Sequence, residues 1–314
     1  MSESATNPPA KSFLQPGTLW SRTQQQTRIA RESGTLKSIQ TEHKLIEQDD
    51  ICFIVRTKGN LTRKEQAKKE QDRQEQSTGK RCDPFLPYEL DMFVGDISPT
   101  HICLLNKFNV VDNHILIVTR AFEEQTDLLN RQDFEALWFC LQEIDGLGFF
   151  NGGETAGASQ RHKHLQLIPL PFMEDIVYLP IAEAISKINF IDSLGKIDSF
   201  AFNHQVAKLN IPLDLDPQDA ASIMLQQYHM LLNRVGISLD YPSEKPPAYN
   251  FLATREWMLI VPRLQGSFEG IPINSLGFAG SLFVRDRHSL DLLKQITPLK
   301  LLAKVAFSNN QPKK

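Results

Sequence analysis

The run His162-Lys163-His164-Leu165-Gln166, directly after the glycine-rich segment Asn151 to Gln160, constrains this chain more than any other feature. From His162 to Leu170 polar and apolar residues alternate until Pro169. Alternate residues of a strand point to opposite faces, so the predicted strand sets His162, His164 and Gln166 on one face and Leu165, Leu167 and Lys163 on the other. Asn151, Gly152, Gly153, Gly157, Ser159 and Gln160 are small or donor residues, of the kind that lets backbone N–H groups and short side chains close around an oxyanion.

The remaining chain supplies elements that can hold such a strand. A helix is predicted from Thr18 to Glu32, stopped at Ser33-Gly34. Ile39 to Val55 reads as extended, with Ile51–Val55 a short apolar strand. Ile102–Leu105 and His114–Val118 read as a hairpin around Asn109–Asn113. Helical spacing of Phe134, Leu137, Trp138, Leu141 and Ile144 predicts a helix over 131–144, ended by Gly146 and Gly148. Asp216-Pro217 begins another helix, running to Arg234 with Gly236 as its stop. Tyr249–Ala253 and Trp257–Pro262 read as strands joined at 254–256, and Ser289–Leu302 as a last helix interrupted by Pro298. Ile115–Arg120 and Met258–Arg263 share a pattern; a diverged duplication of a hairpin unit and the general likeness of short apolar strands both account for it.

Residues 1–17 are expected to form a flexible N-terminal arm and 306–314 a polar tail. Residues 63–81, rich in Lys, Glu, Gln and Arg, are expected to form a charged, solvated excursion. Of the 314 residues 41% are hydrophobic and 23% charged, enough to build a core, and the net charge of -3 argues against a general nucleic-acid binder. Cys52, Cys82, Cys103 and Cys140 are singly spread, and no stretch approaches the length of a membrane span. A cytoplasmic protein that binds neither nucleic acid nor membrane is the expectation.

Two histidines at this spacing alone are as compatible with surface or core positions, or with a metal pair, as with catalysis. The preceding loop shifts the balance towards a phosphate. Neutral imidazole is a nucleophile at neutral pH and a good leaving group from a phosphoramidate, which suits transfer through a covalent intermediate. A second histidine can orient the first or fix its tautomer, and Gln166 offers an amide donor to a phosphate oxygen. His164 must be unprotonated to attack, so the rate is expected to fall in acid.

The stretch Gly157-Ala158-Ser159-Gln160-Arg161-His162-Lys163-His164-Leu165-Gln166 resembles the signature of the histidine-triad-like superfamily, with glutamine in place of the last histidine. Leu104–His114, Tyr249–Leu252, Trp257–Arg263 and Ile273–Gly280 extend the likeness to the ATP adenylyltransferase (diadenosine tetraphosphate phosphorylase) family, over roughly residues 45–305. The resemblance implies an α+β, histidine-triad-like fold of mostly antiparallel sheet with packed helices, as one catalytic domain over 18–305. It implies phosphorolysis of diadenosine tetraphosphate by phosphate to ATP and ADP, and the reverse reaction. His164 would attack the α-phosphate, His162 would support it by hydrogen bonding, and Gln166 would hold an α-phosphate oxygen. Asn151, Gly157, Ser159 and Gln160 would contact phosphates, Asn106 the nucleoside, and Asn274 would be a further substrate contact. For the cation that offsets the phosphate charge, Lys58 ranks first, followed by Lys80, Arg81 and Lys107; alternation points Lys163 away. No acidic cluster marks a protein-borne metal site, and Mg2+ is expected with the polyphosphate. Ala158 stands where a second hydroxyl would fit the pattern, and 63–81 has no counterpart in it. A hexose-phosphate uridylyltransferase and a non-catalytic nucleotide-binding protein are the competing readings.

Overall fold

The computed structural model describes residues 13–58, 83–173, 176, 178–239 and 245–309, with the side chain of Lys58 not among them. The expectations placed on residues 1–12, 63–81 and 310–314, and on the side chains of Lys58, Lys80, Arg81 and Cys82, fall outside these.

Helix α1 (Leu19–Glu32) buries Leu19, Thr23, Thr27 and Ala30, a stripe at helical spacing. Strands β1 (Thr41–Gln48) and β2 (Ile51–Lys58) form an antiparallel hairpin. Its two-residue turn holds Asp49 and Asp50 at φ 48° and 64°, the left-handed geometry that matches strand twist. Strands β3 (Phe93–Asp96), β4 (His101–Leu105) and β5 (Ile115–Thr119) lead to helix α2 (Arg131–Glu143). Asn130 caps α2 by accepting from the N–H groups of Gln132 and Asp133, and the Asp133 carboxylate accepts from Asn130 in return.

Strands β6 (Gly146–Gly152) and β7 (His164–Pro169) follow, then the short helix α3 (Ala182–Ser186), β8 (Leu194–Gly195) and β9 (Gln205–Lys208). Helix α4 (Pro217–Val235) starts at Asp216, which accepts from Gln218 N–H, and stops at Gly236 with φ 85°. Both ends are where the sequence puts them. The chain closes with β10 (Tyr249–Ala253), β11 (Trp257–Pro262), the small hairpin β12 (Ser267–Phe268) and β13 (Ile271–Pro272), α5 (Ser275–Phe278), β14 (Ser281–Val284), α6 (Arg287–Ile296) and α7 (Pro298–Val305). The expected interruption at Pro298 separates α6 from α7.

The fold is α+β. Nine strands form one antiparallel sheet in the order β3-β4-β5-β7-β6-β10-β11-β9-β8, and β14 extends the first hairpin as a parallel third strand. Within the large sheet a unit recurs. Hairpin β4-β5, helix α2 and hairpin β6-β7 lie in the order β4-β5-β7-β6; hairpin β8-β9, helix α4 and hairpin β10-β11 lie in the order β8-β9-β11-β10. The units meet antiparallel at β6 and β10, where Asn151 pairs with Asn250. In this repeat β11 corresponds to β7, so the likeness between 115–120 and 258–263 joins strands at different places in the unit.

One face of the sheet buries Leu165 and Leu167 against Phe134, Trp138 and Tyr228 of α2 and α4; the other packs Leu147, Phe149 and Ile168 with residues of β2, α6 and α7. Gly146 and Gly148 are not a helix stop. α2 ends at Glu143, and both glycines lie inside β6, because a Cβ on Gly148 would come within 2.7 Å of Leu137 Cδ1 and one on Gly146 would strike the Ile168 carbonyl. Gly148 thus sits directly beneath the Leu137 side chain of α2, and Gly146 against the β7 backbone.

Candidate active site

Strand β7 alternates as its sequence requires. His164, Gln166 and Ile168 face a cavity of about 950 Å³, while Leu165 and Leu167 face the core under the helices. Asn106, Asn151, Gly157, Ser159, Gln160 and Asn274 line the same cavity, so the fold gathers side chains from four separate parts of the chain. The volume stands at the upper end of the range for small-molecule sites and suits an extended ligand.

Phe85 packs on both histidine rings, 5.9 Å from His162 and 4.9 Å from His164 between centroids, but only His164 reaches the cavity. His162 does not line the cavity: β7 begins only at His164, and the preceding residues turn, with Gln125 N–H bonding Arg161 O and Lys163 N–H bonding Glu123 O. The buried His162 ring instead sits between Asp83 Oδ2, 2.7 Å from Nδ1, and Thr119, whose carbonyl lies 2.8 Å from Nε2. Its backbone carbonyl reaches the nucleophile candidate, 2.8 Å from His164 Nδ1. A carbonyl only accepts, so Nδ1 carries the proton and the neutral His164 ring holds its lone pair on Nε2. The support expected from the His162 imidazole comes from its main chain. Phe85, in the loop with Asp83, packs on the His164 ring at 4.9 Å between centroids.

Gln125, absent from the sequence expectation, fastens His164. The β6-β7 ladder pairs Phe149 with Gln166, and its continuation would set Asn151 opposite His164. There the Gln125 amide is wedged between the strands: Oε1 accepts from His164 N–H at 2.8 Å, and Nε2 donates to the carbonyls of His164 at 3.2 Å and Asn151 at 3.0 Å. A side chain thus replaces a rung of the ladder where the strands open into the cavity.

Gly157 has φ +95°, and a Cβ there would lie 2.6 Å from Asn274 Cβ; the loop needs glycine for its conformation and for its approach to the C-terminal segment. Asn274 accepts from Leu276 N–H at the start of α5. Asn106 accepts from Phe108 N–H, and its Nδ2 lies 3.2 Å from His114 Nδ1.

Lys163 points away from the cavity, as alternation requires. Its buried ammonium pairs with Asp133 at 2.7 Å and Glu123 at 3.1 Å. Burial alone would raise the Asp133 pKa, but hydrogen bonds and charges from His101 and Lys163 outweigh it and hold the pKa down. Lys107 lines the cavity but pairs with Glu89. Arg56 and Lys37 also line it, and among the described residues neither has a carboxylate within 4.0 Å. Arg56 is 6% exposed, donates to Phe172 O at 3.2 Å, and has its pKa lowered by burial. It was legible in principle, two residues before Lys58 in the sequence of β2.

A ring with its tautomer set, amide side chains and a buried guanidinium lining one cavity can take a phosphate ester to an imidazole. The same fold recurs in known proteins. The family model described as Ap4A phosphorylase N-terminal domain matches residues 9–187, and the one described as ATP adenylyltransferase C-terminal domain matches residues 198–308. The chain belongs to the Ap4A phosphorylase family. It is 28% identical over 316 residues to diadenosine 5',5'''-P1,P4-tetraphosphate phosphorylase 2 of Saccharomyces cerevisiae, covering 91% of this chain and 93% of that protein. The crystal structure of yeast Ap4A phosphorylase Apa2 superposes with a TM-score of 0.74 at 23% identity, over 96% of this chain and all of that one. The structure of the same yeast protein in complex with Ap4A gives a TM-score of 0.74 at 23% identity, over 95% and 100%. These two likenesses give the fold.

Proposed function

We propose that this chain is a nucleotidyltransferase that splits diadenosine tetraphosphate with phosphate into ATP and ADP, and runs the reverse reaction, through an adenylyl group carried on His164. The observation that carries the reading is the His164 ring on the cavity wall, with Nδ1–H bound to the His162 carbonyl at 2.8 Å and the lone pair therefore on Nε2. Family membership supplies the substrate class, and the yeast relative is named for this activity.

In the first half-reaction Nε2 forms a bond to the α-phosphorus. The bond from that phosphorus to the bridging oxygen breaks, and ATP leaves with the electron pair. In the second, a phosphate oxygen attacks the same phosphorus, the P–N bond breaks, and ADP departs from a neutral histidine. Gln166 and Asn151 offer amide donors to the oxygens of the transferring phosphate, and Gly157, Ser159 and Gln160 form the rim over the remaining phosphates. Donors aimed at charge that grows in the transition state lower the barrier without reorganising. Arg56 is the cation best placed to offset the chain's charge.

Mg2+ is proposed to arrive with the polyphosphate. Among the described residues no group of three or more His, Cys, Asp or Glu is arranged to hold a metal ion. A cytoplasmic location is proposed from the unpaired thiols of Cys52, Cys103 and Cys140; among the described residues no helix is long and apolar enough to cross a membrane.

Mass spectrometry of the protein mixed with diadenosine tetraphosphate tests the reading. An AMP-sized adduct on His164, absent in His164→Ala, is the expected result. An adduct formed only from a UDP-sugar transfers the reading to uridylyl chemistry, and nucleotide binding with neither adduct nor turnover makes the chain a binding protein.

A further inference from the structure

We propose that Arg263 and Asn250 are positioning residues for the transfer: with Asn151 they form a one-way chain of hydrogen-bond donors that ends on the phosphate. The proposal rests on the nucleotidyl-transfer reading above and adds what holds the phosphate donor in its working orientation.

An asparagine amide has a donor end and an acceptor end, and a half-turn exchanges them. An acceptor turned towards a phosphate would repel it. The direction here is set by a group that cannot accept. Arg263 Nη1 donates to Asn250 Oδ1 at 2.6 Å, so the other end of that amide is Nδ2. Asn250 Nδ2 lies 2.8 Å from the Ala156 carbonyl, which can only accept, and 2.9 Å from Asn151 Oδ1. Asn151 Oδ1 also accepts from Ser275 N–H at 2.9 Å. Only Asn151 Nδ2 is left. It has no acceptor among the described residues, and Asn151, 3% exposed, lines the cavity.

Each link repeats the sense N–H to O, from the guanidinium to the cavity wall. Aligned hydrogen bonds polarise one another in a low dielectric, so the last donor is stronger than a lone amide. Arg263 stands at the head of the chain as a buried cation. Its other bonds go to the carbonyls of Val305, Gln265, Ile273 and Ala156, its guanidinium lies 5.4 Å from the Phe278 ring centre, and no carboxylate is within 4.0 Å among the described residues. Burial draws its pKa down to about 10, which leaves it charged at neutral pH. A buried charge without a counter-ion is costly unless something offsets it. The negative group nearest in function is the phosphate at the far end of the relay.

The repeat explains where the relay comes from. Asn151 and Asn250 are the ladder pair at the seam between the two units. The ladder sets Val261 opposite Asn250, where its continuation in the first unit sets His164 opposite Asn151, so the second unit lacks the histidine. Its asparagine instead holds the asparagine of the first.

The test is Asn250→Leu, which breaks the relay without changing charge, in the full-length protein. The expected result is a kcat lower by on the order of tenfold, less than the ~100–1,000-fold for losing such a donor outright because Asn151 itself remains, and weaker binding of AMP, with adenosine affinity unchanged within twofold. A merely structural role would weaken AMP and adenosine alike, and that result, or a kcat within twofold of wild type, overturns the proposal. Should Asn250→Leu not fold, nitrogen-15 asparagine labelling of the wild-type protein carries the same test. AMP, and not adenosine, should move the side-chain amide signals of both Asn151 and Asn250; movement confined to Asn151 overturns the relay. Absence of turnover in the wild type strikes the functional reading itself, whereas an active wild type with an equally active Asn250→Leu strikes only the relay.

Discussion

Gln125→Leu removes the wedge between β6 and β7 and keeps roughly the same volume. The Gln125 side chain is the partner of His164 N–H and of the His164 and Asn151 carbonyls, and the residue is 2% exposed. The Asn151 carbonyl keeps the N–H of Gly153 at 2.9 Å, so two backbone groups are left without this partner; at about 1–3 kcal/mol each they set an upper bound of about 6 kcal/mol. The strands can recover part of this by closing the missing rung, which would set Asn151 directly against His164. We therefore expect a loss of about 2–5 kcal/mol in unfolding free energy, a large share of the ~5–15 kcal/mol typical of a domain. That closure also moves His164, the proposed nucleophile, and a displacement of about 1 Å costs on the order of a hundredfold in rate. Urea denaturation followed by tryptophan fluorescence reads the first quantity, and single-turnover formation of the adenylyl adduct reads the second. A variant within about 1 kcal/mol of wild type and equally fast would show that the amide is not a necessary rung.

Other outcomes follow from the same contacts. Lys163→Met leaves the Asp133 carboxylate buried with only His101 and its cap. It should cost about 3–5 kcal/mol in a denaturant titration, while AMP affinity of the folded fraction stays unchanged because the ammonium faces away from the cavity. Arg56→Met should raise the dissociation constant for AMP about 10–100-fold, the worth of a charged hydrogen bond, and leave adenosine unaffected; equal loss of both in calorimetry would remove Arg56 from the phosphate site. His204, whose pKa burial lowers from 6.5 to about 4, is neutral in the fold where the unfolded chain takes a proton. Its contribution to stability is complete above pH 6.5 and is lost as pH falls towards 4, at up to about 1.4 kcal/mol per pH unit. Urea midpoints over that window should fall less steeply in His204→Gln, and identical slopes would contradict the assignment.

Local features were the most legible. The ends of α4 were written in Asp216, Pro217 and Gly236, because caps depend on residues adjacent in the chain. The alternation of His164, Leu165, Gln166 and Leu167 announced which side chains would face the cavity. Gly146 and Gly148 misled because a glycine after a helix pattern reads as a stop, whereas the need for glycine here came from Leu137 and Ile168, contacts across the fold. That His162 stays outside the cavity lining was illegible for a related reason. Its side-chain direction is decided by Asp83, Thr119 and the turn before β7, none of which the strand period contains.

Sequence alone determined the chemistry on offer: an imidazole two residues from a glutamine on one strand face, preceded by a loop that only small residues could fold. It also determined the family, because those residues stand next to one another. Tertiary structure decided how each group is held. The tautomer of His164 comes from a main-chain carbonyl, its backbone position from Gln125, and the direction of Asn151 from Ser275 and from Asn250, itself oriented by Arg263, all far along the chain. Hydrogen bonds between distant segments have no period along the chain. They exist only once the two units have met at β6 and β10 and buried the polar groups that must then find partners.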